Sequence, residues 1–106
     1  MIRILLIVVL LIPVCTYSKL TEETCRGIMQ HAKWVMLSKQ IGKPIDEVLK
    51  ENDQWFKDAS KAEKNKANLT IQTAYSLPSY NDKELNKQQL NDFIAYEYLA
   101  CKKAMN

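Results

Sequence analysis

The segment TEETCRGIMQHAKWVMLSKQIG, residues 21–42, decides the fold, because its apolar side chains recur at steps of three and four. Thr21 is suited to cap the free amides of the first turn, and the two glutamates after it lie at the positive end of the helix dipole. Gly42 supplies a C′ residue, and Pro44 prevents continuation. We therefore predict a helix over 21–41 that buries one stripe, made of Cys25, Ile28, Met29, Ala32, Val35, Met36 and the stem of Lys39.

Two further helices are predicted in the middle of the chain. The first starts at Pro44, which is tolerated in a first helical turn, and ends at a break over Asn52-Asp53. The next covers 55–75 and ends before Pro78, since the residue before a proline avoids the helical region. The polar stretch 63–68 within it is where we expect this helix to bend or fray.

A fourth helix is predicted after Asn81, which can cap it, with Glu84 three residues later as in a capping box. Its apolar positions are Leu85, Leu90, Phe93, Ile94, Tyr98, Cys101 and Met105. Since no sustained two-residue alternation occurs along the chain, we predict an all-α fold, a small four-helix up-down bundle with one disulfide.

The N-terminus is typical of a secretory signal peptide. A basic start is followed by an apolar run and then by small residues, which predicts cleavage after Ser18 and a single helical domain over 19–106. A membrane anchor is the first alternative, but Ile4–Val14 spans roughly 16 Å as a helix against about 30 Å of hydrocarbon. Lipid attachment at Cys15 is the second. We expect a periplasmic or secreted protein with no stable membrane span after cleavage.

Removal of the leader leaves two cysteines, Cys25 and Cys101, one near each end of the mature chain. In an oxidising compartment this arrangement favours a structural disulfide over free thiols, metal binding or redox chemistry. An up-down bundle also places the start of the first helix beside the end of the fourth. The two inferences agree with each other.

Composition excludes several kinds of function. The chain has 106 residues, a net charge of +3, one histidine and two glycines. The charge is too weak and scattered for nucleic-acid binding, the single histidine excludes a multi-histidine metal site, and two glycines argue against a glycine-rich phosphate loop. We expect no cofactor.

No catalytic constellation stands out. His31 has no i+4 histidine partner and belongs to no Ser/His/Asp or Cys/His pattern, so we interpret it as a surface or boundary residue. The acidic pairs Glu22/Glu23 and Asp46/Glu47 lie at predicted helix starts, where the helix dipole explains them. We therefore expect no enzyme activity and no metal site.

The aromatic residues are the most informative group. At helical spacing, several of them cannot all face one core stripe, and exposed aromatics beside basic residues are typical of partner anchors. The predicted partner surface centres on the turn between the third and fourth helices and consists of Trp34, Lys39, Tyr75, Pro78, Tyr80 and Tyr96.

The order of Cys25, AKWVMLSKQIG at 32–42, AYSLPSY at 74–80 and Cys101 resembles a group of small exported proteins of Gram-negative bacteria. Those proteins carry an A-x-x-I-M-x-x-R-Q-x-G stretch and an A-Y-x-x-P-R-[FY] turn between two cysteines. The resemblance implies a periplasmic helical protein and carries no activity with it. Two positions depart from the pattern, since position 39 here is lysine and position 79 is serine, and neither can form the bidentate bonds of arginine.

These observations lead to two functional hypotheses. The first is a monomeric, non-catalytic binding or inhibitory protein that acts on another envelope protein. The alternative is a small-ligand carrier with a pocket between helices, which requires an apolar cavity with few polar groups.

Overall fold

The computed structural model describes residues 21–105, which form four helices: α1 (Glu22–Gln40), α2 (Ile45–Trp55), α3 (Lys61–Ser76) and α4 (Lys83–Ala104). No strand occurs among these residues. The all-α prediction is confirmed. The predicted signal peptide and Cys15 lie outside the described residues.

Helix α1 begins and ends where its sequence predicts. The Thr21 hydroxyl accepts a hydrogen bond from the Thr24 amide at 3.1 Å, which caps the first turn. At the other end, Gly42 takes a positive φ of 86°, which glycine adopts without steric cost. The Lys43 amide then donates to the Ser38 carbonyl at 3.0 Å, as in a Schellman motif.

The predicted break at Asn52-Asp53 is wrong, because both residues lie inside α2. Asn52 is buried, and its side-chain amide finds partners within the bundle: Oδ1 bonds His31 Nε2 at 2.8 Å, and Nδ2 donates to Asn68 at 3.4 Å. A polar residue that resembles a helix stop therefore serves as an interior contact between three helices.

The real break lies at 56–60, so the prediction of a helix starting at residue 55 is also wrong. Ser60 and Glu63 form a capping box: the Glu63 amide donates to the Ser60 hydroxyl at 3.2 Å, and the Ser60 amide donates to the Glu63 carboxylate at 3.1 Å. The polar stretch 63–68 is helical, since it belongs to the capped first turns of α3 rather than to a frayed middle.

Asp82, not Asn81, caps α4, so the predicted capping residue is off by one. The Asp82 carboxylate accepts from the amides of Glu84 and Leu85 at 2.7 and 3.2 Å. The carboxylate also adds a negative charge at the positive end of the helix dipole.

Contacts between helix ends define an up-down-up-down topology. His31 in mid-α1 meets Asn52 near the end of α2, and the start of α4 meets the end of α1. Helix α1 packs against all three other helices, whereas α3 and α4 make few contacts with each other. The core lies mainly around α1, and its buried residues are Ala32, Val35, Met36, Val48, Ile71, Ala74 and Phe93.

The predicted disulfide is present between Cys25 in α1 and Cys101 in α4. Both cysteines are buried, and their Cα atoms lie 5.5 Å apart. The bond joins residues 76 positions apart and fixes the start of α1 to the end of α4. None of the helices over residues 21–105 has the length and hydropathy needed to cross a membrane.

A charged cluster lies at the same end of the bundle as the disulfide. The Glu22 carboxylate accepts hydrogen bonds from Lys102 Nζ at 2.5 Å and from the Tyr98 hydroxyl at 2.6 Å. The hydrogen bond from Lys102, reinforced by the one from Tyr98, lowers the pKa of Glu22 from 4.5 to about 2. The ionised carboxylate is therefore favoured by folding.

We expect this carboxylate to make the stability of the fold depend on pH in the acid range. Its contribution is complete above pH 4.5 and is lost as pH falls through the folded-state pKa of about 2. Urea unfolding of the parent and of Glu22→Gln should therefore differ at neutral pH and converge toward pH 2. The neighbouring Glu23→Gln leaves the bonds of Glu22 to Lys102 and Tyr98 in place, so it is the control and should keep the loss of stability that Glu22 causes at acid pH. A gap for Glu22→Gln that persists unchanged at pH 2 would contradict this assignment.

Candidate functional site

A groove lies between the end of α3 and the first half of α4, where these two helices separate. It encloses about 570 Å³. The turn between the helices forms one end of the groove. Most of the surface that lines it is apolar, and the lining residues are Thr73, Leu77, Pro78, Tyr80, Leu85, Gln88, Gln89, Asp92, Phe93 and Tyr96.

The turn that forms one end of this groove is held by side chains from α1 and α4. The Pro78 carbonyl accepts from Lys39 Nζ at 2.7 Å and from Gln89 Nε2 at 2.8 Å. The Tyr80 carbonyl accepts from Asn86 Nδ2 at 3.0 Å. Three donors therefore fix the backbone that carries Pro78 and Tyr80.

Lys39 is buried, and it supports the turn from inside instead of offering its ammonium group to a partner. Burial lowers the pKa of Lys39, because the charged form loses hydration. Lys39 Nζ also donates to Gln89 Oε1 at 3.4 Å, and an ammonium group can serve these two separate acceptors without the planar fork of arginine. The lysine at this position therefore has a structural explanation in this chain.

The structure brings together three of the six predicted surface residues. Pro78, Tyr80 and Tyr96 line the groove, and Tyr96 is 64% exposed. Tyr75 lies elsewhere, half-buried, with its hydroxyl donating to the Lys43 carbonyl at 2.6 Å. Trp34 does not line the groove either, and lies half-buried in α1.

Seven of the ten lining residues are not among the predicted surface residues, and Leu85 and Asp92 are the two that matter most for binding. Leu85 is expected in the core from its spacing, yet it is 44% exposed at the groove because α3 does not cover the first turn of α4. Asp92 is an acidic residue of the groove, and it forms no ion pair within residues 21–105. Leu85, Asp92 and Tyr96 follow one another at steps of seven and four residues, which places them on one face of α4. This spacing is the sequence signal that could have identified the surface.

A second cavity of about 490 Å³ lies on the opposite part of the bundle, between the first halves of α1 and α3. Its lining is Thr24, Gly27, Ile28, His31, Phe56, Ala62, Glu63, Lys66 and Ala67. An aromatic group borders it: the His31 ring lies 5.3 Å from that of Phe56 and 5.8 Å from that of Trp34, measured between ring centroids. Trp34 in turn packs on Trp55 at 4.7 Å.

His31 is held in a hydrogen-bonded chain that fixes its protonation. Asn52 uses its amide nitrogen for Asn68, so its oxygen accepts the proton on His31 Nε2. Desolvation lowers the pKa of His31, which keeps the ring neutral at pH 7. The second ring nitrogen then remains a hydrogen-bond acceptor. Among residues 21–105, the hydrogen-bond partner of this ring is the Asn52 amide.

Glu97 is a carboxylate that lies buried in the interior. Glu97 Oε1 accepts from Lys66 Nζ at 2.9 Å and from the Thr70 hydroxyl at 3.2 Å. The ion pair compensates the charge of Lys66 at the wall of the second cavity. It is also the main polar link between α3 and α4. Among residues 21–105 no group of three or more His, Cys, Asp or Glu side chains could hold a metal ion.

Comparison with protein-family models, with curated proteins and with solved structures gives no match for the chain. The groove, the cavity and the chemistry of their residues are the features that bear on its function.

Gly27 in α1 offers a clean test of the second cavity's geometry. No atom lies within 4 Å of the position that a Cβ would take there, so packing does not require glycine. A glycine inside a helix costs about 0.5–1 kcal/mol relative to alanine. We expect Gly27→Ala to raise the free energy of unfolding by about that amount, measured by urea denaturation. A loss of stability would show that the space above Gly27 is not open. Gly42→Ala is the matched contrast and should destabilise the protein, because Gly42 has a positive φ.

Proposed function

We propose that this protein is an exported, non-catalytic binding protein that acts on another envelope protein through the groove between α3 and α4. The observation that carries the proposal is an apolar groove whose rim is held rigid while its aromatic and aliphatic side chains stay exposed. Exposed aromatic side chains that are already rigid lose little conformational entropy when a partner binds, and such side chains are common at interface hot spots.

Export is supported by two features of the chain. A leader-like N-terminal sequence precedes the helical domain, and a buried disulfide joins Cys25 to Cys101. Disulfides of this kind form and persist in oxidising compartments such as the periplasm. An envelope protein is the partner that such a compartment supplies.

The chemistry of the groove indicates the kind of segment that fits it. Its apolar floor accommodates the apolar face of an amphipathic helix, whose side chains recur at steps of three and four. Asp92 adds a negative charge at the wall that forms no ion pair within residues 21–105. We therefore expect the partner segment to carry aliphatic or aromatic anchors and a lysine or arginine that reaches Asp92.

Site-specific photo-crosslinking in the protein's own host tests this proposal. A photoreactive p-benzoylphenylalanine at position 96 should give one defined adduct with an envelope protein after irradiation. The adduct should disappear when Leu85→Asp is added, because a charge in the groove floor opposes an apolar partner. Binding should weaken by about ten-fold or more, which is the cost of roughly 1.4 kcal/mol or more.

The control is the same photoreactive residue at position 41. Among residues 21–105, Ile41 is the most exposed large hydrophobic residue outside the groove, at 76%, and so reports chance encounters. Equal adducts from positions 41 and 96, or none from position 96, would contradict the proposal. Circular dichroism and the disulfide content verify that each variant is folded.

The second candidate function is carriage of a small ligand, and the cavity between α1 and α3 favours it. Its volume of about 490 Å³ falls within the range of about 300–1,000 Å³ that small-molecule sites occupy. Its walls are mainly apolar with a few polar groups, as such sites require.

A further inference from the structure

The second half of α4 carries an exposed apolar patch. Tyr96 is 64% exposed and Leu99 is 62% exposed. Leu99 follows Tyr96 by three residues, so both side chains lie on one side of the helix. Ala95 and Ala100 flank them and are exposed as well. Large apolar side chains that are exposed next to each other are typical of an interaction surface.

The patch ends in opposite charges. Asp92 lies one helical turn before Tyr96, and Lys103 lies one turn after Leu99. Steps of four, three and four residues place these four side chains in one row along the helix, which we call the α4 stripe. Both charged residues are exposed, and neither forms an ion pair within residues 21–105. The α4 stripe therefore has an acidic end, an apolar middle and a basic end.

This order is complementary to itself. When two α4 helices lie antiparallel with their midpoints aligned, Asp92 of each copy faces Lys103 of the other, and Tyr96 of each copy faces Leu99 of the other. The same register places the two exposed alanines opposite each other, and their small side chains let the helices approach closely. Such a contact has two-fold symmetry, in which one patch serves both copies. A parallel alignment instead places like charges opposite each other, which is unfavourable.

We propose that the α4 stripe binds the α4 stripe of a second copy of this chain and forms a symmetric antiparallel dimer. Charge complementarity selects this occupant, because both ends of the stripe find their counter-charge in the same register that joins the apolar middles. The stripe is about 16 Å long at 1.5 Å per residue. A contact of that length is at the low end of interface sizes, so the dissociation constant should be on the order of 100 μM.

The dimer goes beyond the proposed function and departs from the monomer expected from the sequence, although the two surfaces overlap. Asp92 and Tyr96 also line the groove between α3 and α4, whereas Leu99 and Lys103 do not. A second copy and a segment of an envelope protein therefore exclude each other at the two shared residues. A partner that binds more tightly than the second copy displaces it.

Sedimentation equilibrium of the processed, oxidised protein tests the proposal at concentrations from about 10 μM to about 1 mM. The protein should show a reversible monomer–dimer equilibrium at low ionic strength. High salt should weaken the dimer, because the ion pairs at its two ends are exposed and screened. The measurement needs no envelope protein, so its outcome is independent of the proposed function.

Charge reversal at the two ends of the stripe tests the register. Asp92→Lys and Lys103→Asp should each weaken the dimer by about ten-fold, because each places like charges together at two symmetric positions. The double variant exchanges the charges and should return to within about two-fold of the parent. Lys87→Asp is the matched control. Lys87 is exposed and lies roughly 140° around α4 from Asp92, so this variant should leave the dimer unchanged.

Leu99→Ser tests the apolar middle without altering a residue of the groove. It should weaken the dimer by about ten-fold or more, since both copies lose a central contact. Ile41→Ser is the control, because Ile41 is exposed on α1 away from the stripe, and it should have no effect. Circular dichroism verifies that each variant is folded.

The other outcomes each overturn part of the proposal. A protein that stays monomeric up to about 1 mM contradicts the second copy and leaves the stripe to a different protein. A dimer that Leu99→Ser does not weaken contradicts the α4 stripe as its interface. Failure of the double variant to restore the dimer contradicts the antiparallel register. Equal weakening by Lys87→Asp and Lys103→Asp contradicts a specific ion pair, because net charge alone then explains the effect.

Discussion

The covalent link between Cys25 and Cys101 is the constraint on which the rest of the structure depends. It joins the start of α1 to the end of α4, so the longest helix is held antiparallel to the helix that contacts every other element. A domain of this size buries a limited apolar surface, and its core is correspondingly small. The disulfide closes a long loop and so reduces the conformational freedom of the unfolded chain. The stability gained in this way compensates for the small core.

The same constraint explains why two open surfaces exist. With α4 fixed along α1, and α3 also packed on α1, the helices α3 and α4 meet mainly through the Glu97–Lys66 pair and the Thr70 hydroxyl. Beyond that contact they separate and leave the groove. On the other side, α1 and α3 leave a cavity next to Phe56. The bundle therefore carries a groove of about 570 Å³ and a cavity of about 490 Å³ on the same small scaffold.

The sequence predicts α1 and the helical class well, because they rest on strong local signals: a long apolar stripe, the Thr21 cap and Gly42. The disulfide is predicted from the two cysteines that lie near the two ends of the helical region. It fails in the middle of the chain. Asn52 resembles a helix stop, but its amide is satisfied by His31 and Asn68, which are distant in sequence. Propensity cannot anticipate such tertiary compensation.

For a related reason, the sequence predicts only some of the residues that line the candidate groove. The composition of the turn identifies Pro78 and Tyr80. Tyr96 is identified because its position on the helix lies off the core stripe. Leu85 does not, since its exposure depends on where α3 ends relative to α4. For Lys39, the sequence predicts a buried stem and a place in the partner surface, and only the fold shows that its ammonium donates to the Pro78 carbonyl.

Urea unfolding of the oxidised and the reduced protein, compared at the same pH, tests the central constraint most directly. The two cysteines lie 76 residues apart, and closure of a loop of that length is worth about 4–5 kcal/mol by the chain-entropy model. The account predicts that reduction lowers the free energy of unfolding by roughly this amount. Coincident unfolding curves for the two forms would contradict it.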